Sequence, residues 1–263
     1  MASNTALIAV KDRGRLDGFV PLWRKEMHGW WGTWSWLVKL FMWIAIIDGI
    51  LAIAIFSVGD ESIEQTFLMV FFLIAAMFPA FAVIIFGQDT LIDERIRGTA
   101  AWVLSKPVSR VSFLLAKLAV SALGVLVTMV LVPGMVAYII YKTATGVWLS
   151  LPGFLAGLGL IYLFLLFFLT LTMMLGTLFH SRGPVIGIPL VVISCTYLAF
   201  VAPWLGEVMP TNMILSVESG QPTLAAALAL GQPLPTVTPI LVTGLLVILF
   251  IVVALMRFER EEF

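Results

Sequence analysis

Residues that could do chemistry are concentrated in one charged segment, residues 87–118, and at one isolated acid, Asp48. Within the segment, two acids are followed by two arginines: Asp93, Glu94, Arg95 and Arg97. Neighbouring acids and bases on a short helix suit an electrostatic docking surface. Asp48 lies inside a long apolar run, where a carboxyl group needs a proton or a hydrogen-bond partner.

The familiar patterns of catalysis and metal binding are absent from the sequence. His28 and His180 are far apart and have no cysteine or acid nearby at ligand spacing, and Cys195 is the single cysteine. Neither a phosphate-binding G-x-x-x-x-G-K-[ST] loop nor an H-E-x-x-H helix occurs. We therefore predict that the chain is not an enzyme and holds no catalytic residue, metal or cofactor. No basic footprint for a nucleic acid is present, since the net charge is zero.

The composition indicates that lipid surrounds most of the chain. Hydrophobic residues make up 61% of the 263 residues and charged residues 11%, against roughly 45–50% and about 25% in soluble domains. A spanning helix needs about 20 apolar residues. The sequence predicts an all-α membrane protein with six transmembrane helices, at about 36–58, 66–87, 111–141, 154–179, 184–205 and 236–256. The third run is too long for one straight crossing, and Pro133-Gly134 predicts a kink or an extension beyond the membrane.

The basic residues predict the orientation, because lysine and arginine near span ends are retained in the cytoplasm. With this arrangement of spans, all of the chain's 15 lysines and arginines except Lys142 fall on one side. Both termini are therefore predicted to be cytoplasmic, in a multi-pass protein of the plasma membrane (the inner membrane in bacteria). The amino terminus carries no cleavable signal pattern and is expected to be retained.

Three further regions flank the predicted spans. Residues 1–35 combine basic and tryptophan residues, which predicts a cytoplasmic amino terminus with an amphipathic elbow helix lying at the headgroups; a simple aromatic belt at the start of the first span is the alternative. Residues 36–257 form the transmembrane domain and residues 258–263 a cytoplasmic tail. In the outer connection 206–235, Thr223 and Gly231 predict the two caps of a short helix.

Apolar residues recur at helical spacing through the charged segment, which predicts a short amphipathic cytoplasmic helix at about 90–105. Lys106-Pro107 ends it, and Ser109 can cap the third span.

The segment resembles one that joins the second and third spans of type-2 ATP-binding-cassette (ABC) exporter permeases, of the form E-R-x-x-G-T-x-x-x-L-L-x-x-P-x-S-R followed by a lysine. Val103 replaces the first leucine, and Arg97 stands where an acidic or small residue is more usual. The matching residues are Glu94, Arg95, Gly98, Thr99, Leu104, Pro107, Ser109, Arg110 and Lys117.

The resemblance implies that the helix at 90–105 is a coupling helix that docks on a separate cytoplasmic ATPase. Two ATPase copies and a second permease, identical or homologous, would complete the transporter, and the ATPases would bind ATP and magnesium. The expected docking residues are Asp93, Glu94, Arg95, Ile96, Arg97, Gly98, Thr99, Leu104, Pro107 and Arg110. The other interpretation of the segment is a solvated loop whose basic residues only fix topology.

The resemblance also bears on the membrane interior. Gly153 and Gly157 are four residues apart, as are Gly183 and Gly187, and this small-residue spacing lets helices approach closely. Gly183 and Gly187 are candidates for such a contact in the permease dimer. Asp48 either faces a translocation pathway or the dimer seam, or is a protonated or internally bonded residue that tunes packing. We expect an exporter of amphipathic or hydrophobic substrates; the alternative is an ion- or proton-coupled secondary transporter or channel that uses Asp48.

Overall fold

The structure is a computed structural model that describes residues 14, 16–58, 63–89, 92, 108–195, 208–215 and 222–260. The helices are α1 (Phe19–Trp31), α2 (Ser35–Phe56), α3 (Ile63–Gln88), α4 (Arg110–Val125), α5 (Val132–Thr145), α6 (Leu151–Leu178), α7 (Arg182–Ser194), α8 (Leu224–Ala229) and α9 (Thr238–Glu259). A π-helical segment, Leu126–Leu131, joins α4 to α5, and Pro210–Met213 forms a 3₁₀ turn. The described part of the chain contains no strand.

Five of these helical stretches are long and apolar enough to cross a membrane: Ser35–Phe56, Ile63–Gln88, Arg110–Thr145, Leu151–Leu178 and Thr238–Glu259. They confirm the prediction of an all-helical chain with several apolar spans. The fifth predicted span, 184–205, begins with α7, an apolar helix of 13 residues. Residues 196–205 of that span lie outside the described residues.

Local capping signals fix several helix ends where the sequence predicts them. Ser109 is the N-cap of α4, and its hydroxyl accepts a hydrogen bond from Ser112 N at 3.0 Å. Thr223 caps α8 in the same way, accepting from Ala226 N at 3.1 Å. Gly231 follows α8 with a φ of 69°, the left-handed conformation that glycine adopts without strain. Both predicted helix starts and the glycine stop are confirmed.

The third span is one continuous helical stretch of 36 residues. The π-helical segment ends two residues before Pro133, whose ring would clash with the carbonyl four residues earlier in a regular α-helix. The irregularity predicted at Pro133-Gly134 is therefore met by a change of helix type just upstream. At about 1.5 Å per residue such a helix is on the order of 50 Å long, well beyond a bilayer core of about 30 Å.

Helix α6 is the centre of the bundle, and α3, α8 and α9 pack on it. Toward the end of α6 that receives α8, an aromatic cluster joins α3, α5 and α6: the Phe67 ring lies 4.8 Å from Tyr141, and Phe154 lies 5.7 Å from Phe71 and 5.2 Å from Tyr138. At the opposite end, Phe113 of α4 stacks on Phe258 of α9 at 5.7 Å. These contacts fix which helix ends share a side of the bundle.

Candidate functional site

The candidate site is the connection between α3 and α4, together with the helices that hold its two ends. The predicted docking residues from Asp93 to Pro107 lie outside the described residues, whereas Ile92 and Arg110 border them. Ile92 is buried, with 1% of its surface exposed. Arg110 begins α4. The connection thus has a buried residue at its first end and rejoins the helical bundle where α4 begins.

The carboxyl-terminal end of the connection is fixed by two other parts of the chain. Ser109 N donates a hydrogen bond to Asp17 O at 3.0 Å, which ties it to the residues just before α1. Arg110 Nη1 donates to Glu259 O, at 2.9 Å, in the last turn of α9. A carbonyl at a helix C-terminus is a favourable partner for a guanidinium, because the helix dipole is negative there. Arg110 therefore joins the start of α4 to the end of α9.

Helix α1 packs along α4 over its whole length. Gly18 meets Val108 at one end, where an added Cβ would lie 2.9 Å from Val108 Cγ2. Glu26 meets Lys117 in the middle, and the Trp30 indole covers Gly124 at the far end. Since the contact positions rise together in both helices, α1 and α4 run side by side in the same direction. The amino-terminal region thus contains a helix, and one of its faces packs on α4.

Lys117 is the motif lysine, and only 5% of its surface is exposed. Its Nζ lies 3.4 Å from Glu26 Oε1 and 5.1 Å from the centre of the Phe113 ring. Glu26 also lies 3.6 Å from the more exposed Lys25. Burial of a lysine requires a charged partner. The pairing with α1 was not foreseen from the sequence, where Glu26 and Lys117 share no local pattern.

Lys39 lies near the start of α2, and its contacts identify positions of four helices that lie at the same height along the bundle. This height is called the level of Lys39. Its Nζ lies 4.5 Å from the Trp30 ring and 5.3 Å from the Phe86 ring, and these two rings lie 6.3 Å apart. Because Trp30 also covers Gly124, this level passes through α1, α2, α3 and α4. The Lys39 cation lies within cation–π distance of both aromatic rings, which is a favourable arrangement.

Asp48 lies on the buried side of α2, with 3% of its surface exposed. Neither carboxyl oxygen has a hydrogen-bond partner among the residues that the structure describes. Helices α1, α3 and α5 and the π-helical segment pack on α2. The structure therefore places Asp48 inside the helical bundle.

The two pairs of spaced glycines have different surroundings. An added Cβ at Gly157 would lie 2.9 Å from Ala225 O, and one at Gly153 would overlap Leu228 O, so both glycines admit α8 against α6. At Gly183 and Gly187, the two glycines of α7, no atom lies within 4 Å of the added Cβ. The close approach expected of Gly153 and Gly157 is confirmed, and their partner is the short helix α8.

No curated protein matches this chain. The profile of one family, described as "Protein of unknown function (DUF2705)", matches residues 35–263. This range includes α2 to α9 and the whole connection between α3 and α4. Because the match covers most of the chain, the protein belongs to the DUF2705 family.

Proposed function

We propose that this chain is the membrane-spanning permease subunit of a type-2 ABC exporter in the plasma membrane. The observation that carries the proposal is the motif from Glu94 to Lys117, which begins in the connection between α3 and α4 and ends inside α4. In this proposal, residues 90–105 form the coupling helix, which docks in a groove of the ATPase as an amphipathic helix. Two copies of a separate ATPase bind ATP and magnesium, and a second permease completes the pathway.

The anchoring of the connection supports a mechanical role. A displacement of the connection would move α4 directly, because the two are continuous in the chain. It would also move α1 through the Ser109–Asp17 hydrogen bond and α9 through the Arg110–Glu259 hydrogen bond. Rigid helices that share packed contacts carry such a displacement further than a free loop can. The ion pair between Glu26 and Lys117 adds a second tie between α1 and α4. A segment that only fixed topology would not need these ties.

The proposed topology has six spans and both termini in the cytoplasm. In it, α7 and the residues up to 205 form the fifth span, and the outer connection 206–235 includes α8. The level of Lys39, Trp30 and Phe86 is the cytoplasmic interface. The part of α4 before Gly124 then extends beyond the membrane with α1 beside it, so in this topology α1 follows the cytoplasmic end of α4 and does not lie in the headgroup plane. Gly183 and Gly187 remain candidates for the contact with the second permease.

The proposed substrate is amphipathic or hydrophobic, because the helices that would line a pathway are predominantly apolar. One observation favours a second candidate function, an ion- or proton-coupled secondary transporter or channel. That observation is Asp48, a buried carboxyl group without a partner among the described residues. Such groups within spanning segments often belong to ion or proton pathways.

The test is to purify the tagged full chain in mild detergent and identify co-purifying proteins by mass spectrometry. The wild-type chain should bring an ABC ATPase with it, and the triple variant Glu94→Ala/Arg97→Ala/Leu104→Ala should lose it. A matched control, Val20→Ala/Arg24→Ala/Lys25→Ala, changes exposed residues of α1 and should retain the ATPase. Recovery of no ATPase with the wild-type chain would reject the permease proposal and favour the Asp48 transporter.

A further inference from the structure

Asp48 lies near the middle of the membrane-spanning part of the bundle. Lys39 and Phe86 meet at one interface level, and Asp48 follows Lys39 by nine residues, which is about 13 Å along a helix. A bilayer core is about 30 Å thick, so its centre is about 15 Å from that level. Asp48 is therefore far from water on both sides.

Two helix irregularities occur at similar depth in the helices that pack on α2. Pro79 lies inside α3, seven residues from Phe86 and so about 10 Å from the interface level. In the third span, Gly124 lies at the interface level because Trp30 covers it. The π-helical segment starts two residues after Gly124, and Pro133 lies two residues after the end of that segment. Proline removes a helix hydrogen bond and π-helical turns offer an alternative register, so both helices can change shape here more easily than a regular helix.

Charged groups on the neighbouring helices are occupied elsewhere or lie at the ends of the bundle. On α3 the titratable residue is Glu64, which accepts a hydrogen bond from Tyr141 of α5 at 3.3 Å. On α5, Tyr138 donates to Leu149 O at 2.7 Å, and Lys142 bonds to Gly146 O. On α2 itself, Lys39 contacts two aromatic rings at the interface. The π-helical segment has no titratable residue, and the charged residues of α1 (Arg24, Lys25, Glu26 and His28) lie beyond the interface level.

We propose that Asp48 is a proton-binding site that couples the packing of α2 against its neighbours, α3 and the third span, to pH. In the packed arrangement the carboxyl group holds its proton, since no cation or hydrogen-bond donor of the described residues stabilises the carboxylate. It releases the proton only when α2 separates from these neighbours and water reaches the carboxyl group. By linkage, high pH then favours the separated arrangement and low pH the packed one.

This inference does not rest on the proposed ATPase partner. A permease driven by ATP and a proton-coupled transporter could each contain such a site, and the carboxyl group can be observed directly without any transport assay. Failure of the ATPase experiment would leave the proton site standing, and failure of the proton experiment would leave the permease proposal standing.

The experiment is infrared spectroscopy of the purified full chain in lipid vesicles at neutral pH. A protonated carboxyl group has a C=O stretching band well separated from that of ionised carboxylates. We expect one such band in the wild-type protein, a shift of the band on incorporation of aspartate labelled with ¹³C at the side-chain carboxyl, and loss of the band in Asp48→Asn. The label assigns the band to an aspartate, and the test can still fail if the variant does not fold, because the wild-type protein must show the band. Absence of the band from the wild-type protein would overturn the proposal.

A second measurement tests the coupling to packing. The wild-type protein should lose thermal stability relative to Asp48→Asn as pH rises, because the folded chain holds a proton that the water-exposed unfolded chain releases. The asparagine variant, which cannot ionise at this position, supplies the baseline. Parallel stability curves for the two proteins across the pH range would contradict the coupling.

Discussion

Lys117 of α4 lies 3.4 Å from Glu26 of α1, although the two residues are 91 positions apart in the sequence. Lys117 is nearly buried, whereas about a fifth of the Glu26 side chain, 22%, is exposed. This pair holds the amino-terminal helix against the third span directly below the level of Trp30 and Lys39. In the proposed transporter it lies between the coupling segment and the membrane.

Removal of either partner should weaken the packing of α1 on α4. Glu26→Gln and Lys117→Met should each lower stability, and a double-mutant cycle should give a coupling free energy on the order of 1 kcal/mol. Thermal unfolding in detergent measures the change. Lys25→Gln is the control, because Lys25 also approaches Glu26 but is about half exposed, and it should change stability by less than about 0.5 kcal/mol. Equal effects of Lys25→Gln and Lys117→Met would show that burial of the pair is unimportant.

Alanine substitutions at two helical glycines should have different effects on stability. At Gly124 the new methyl group would overlap the Trp30 indole, so Gly124→Ala should destabilise the protein and displace α1. At Gly49 no atom lies within 4 Å, so Gly49→Ala should be neutral or stabilise by up to about 1 kcal/mol. Thermal unfolding compares the two variants. Trp30→Ala should suppress the effect of Gly124→Ala, and an additive double variant would argue against the contact.

Substitution of Gly157 should release α8 from α6. A leucine there would meet Phe72 and the backbone carbonyl of Ala225, and the backbone cannot move aside as a flexible side chain can. In a Cys195→Ser background, Ala225→Cys is buried and should react slowly with a maleimide, and Gly157→Leu should raise its reaction rate several-fold. Gly159→Leu is the matched control, because no atom lies within 4 Å of an added Cβ there. An unchanged rate in Gly157→Leu would contradict the packing of α8.

The proposed orientation predicts which exposed positions a membrane-impermeant maleimide reaches in intact cells. With Cys195 replaced by serine, Val147→Cys after α5 should be labelled, and Leu16→Cys before α1 should be labelled only after permeabilisation. Both residues are more than half exposed, so accessibility in the folded chain does not separate them. The reverse pattern would invert the topology and place the connection between α3 and α4 outside the cell.

Local patterns in the sequence determine the helical membrane character and several helix boundaries. Apolar runs of spanning length, the Ser109 and Thr223 caps and the Gly231 stop depend on residues within a few positions of one another, and the structure confirms them. The motif from Glu94 to Lys117 is equally local, and the function that it suggests remains a proposal. Gly153 and Gly157 predicted a close approach but not its partner.

Tertiary structure alone decides which distant residues meet. Three contacts join helices that are far apart in the chain: Glu26 pairs with Lys117, the Trp30 ring packs on Gly124, and Arg110 donates a hydrogen bond to Glu259. An apolar run specifies that a helix is buried in lipid or protein, but not which neighbour covers each side. The same reason applies to Asp48. The sequence shows only that Asp48 lies in an apolar run. The packing of α2 against its neighbours shows that both carboxyl oxygens are covered and lack a hydrogen-bond partner among the described residues.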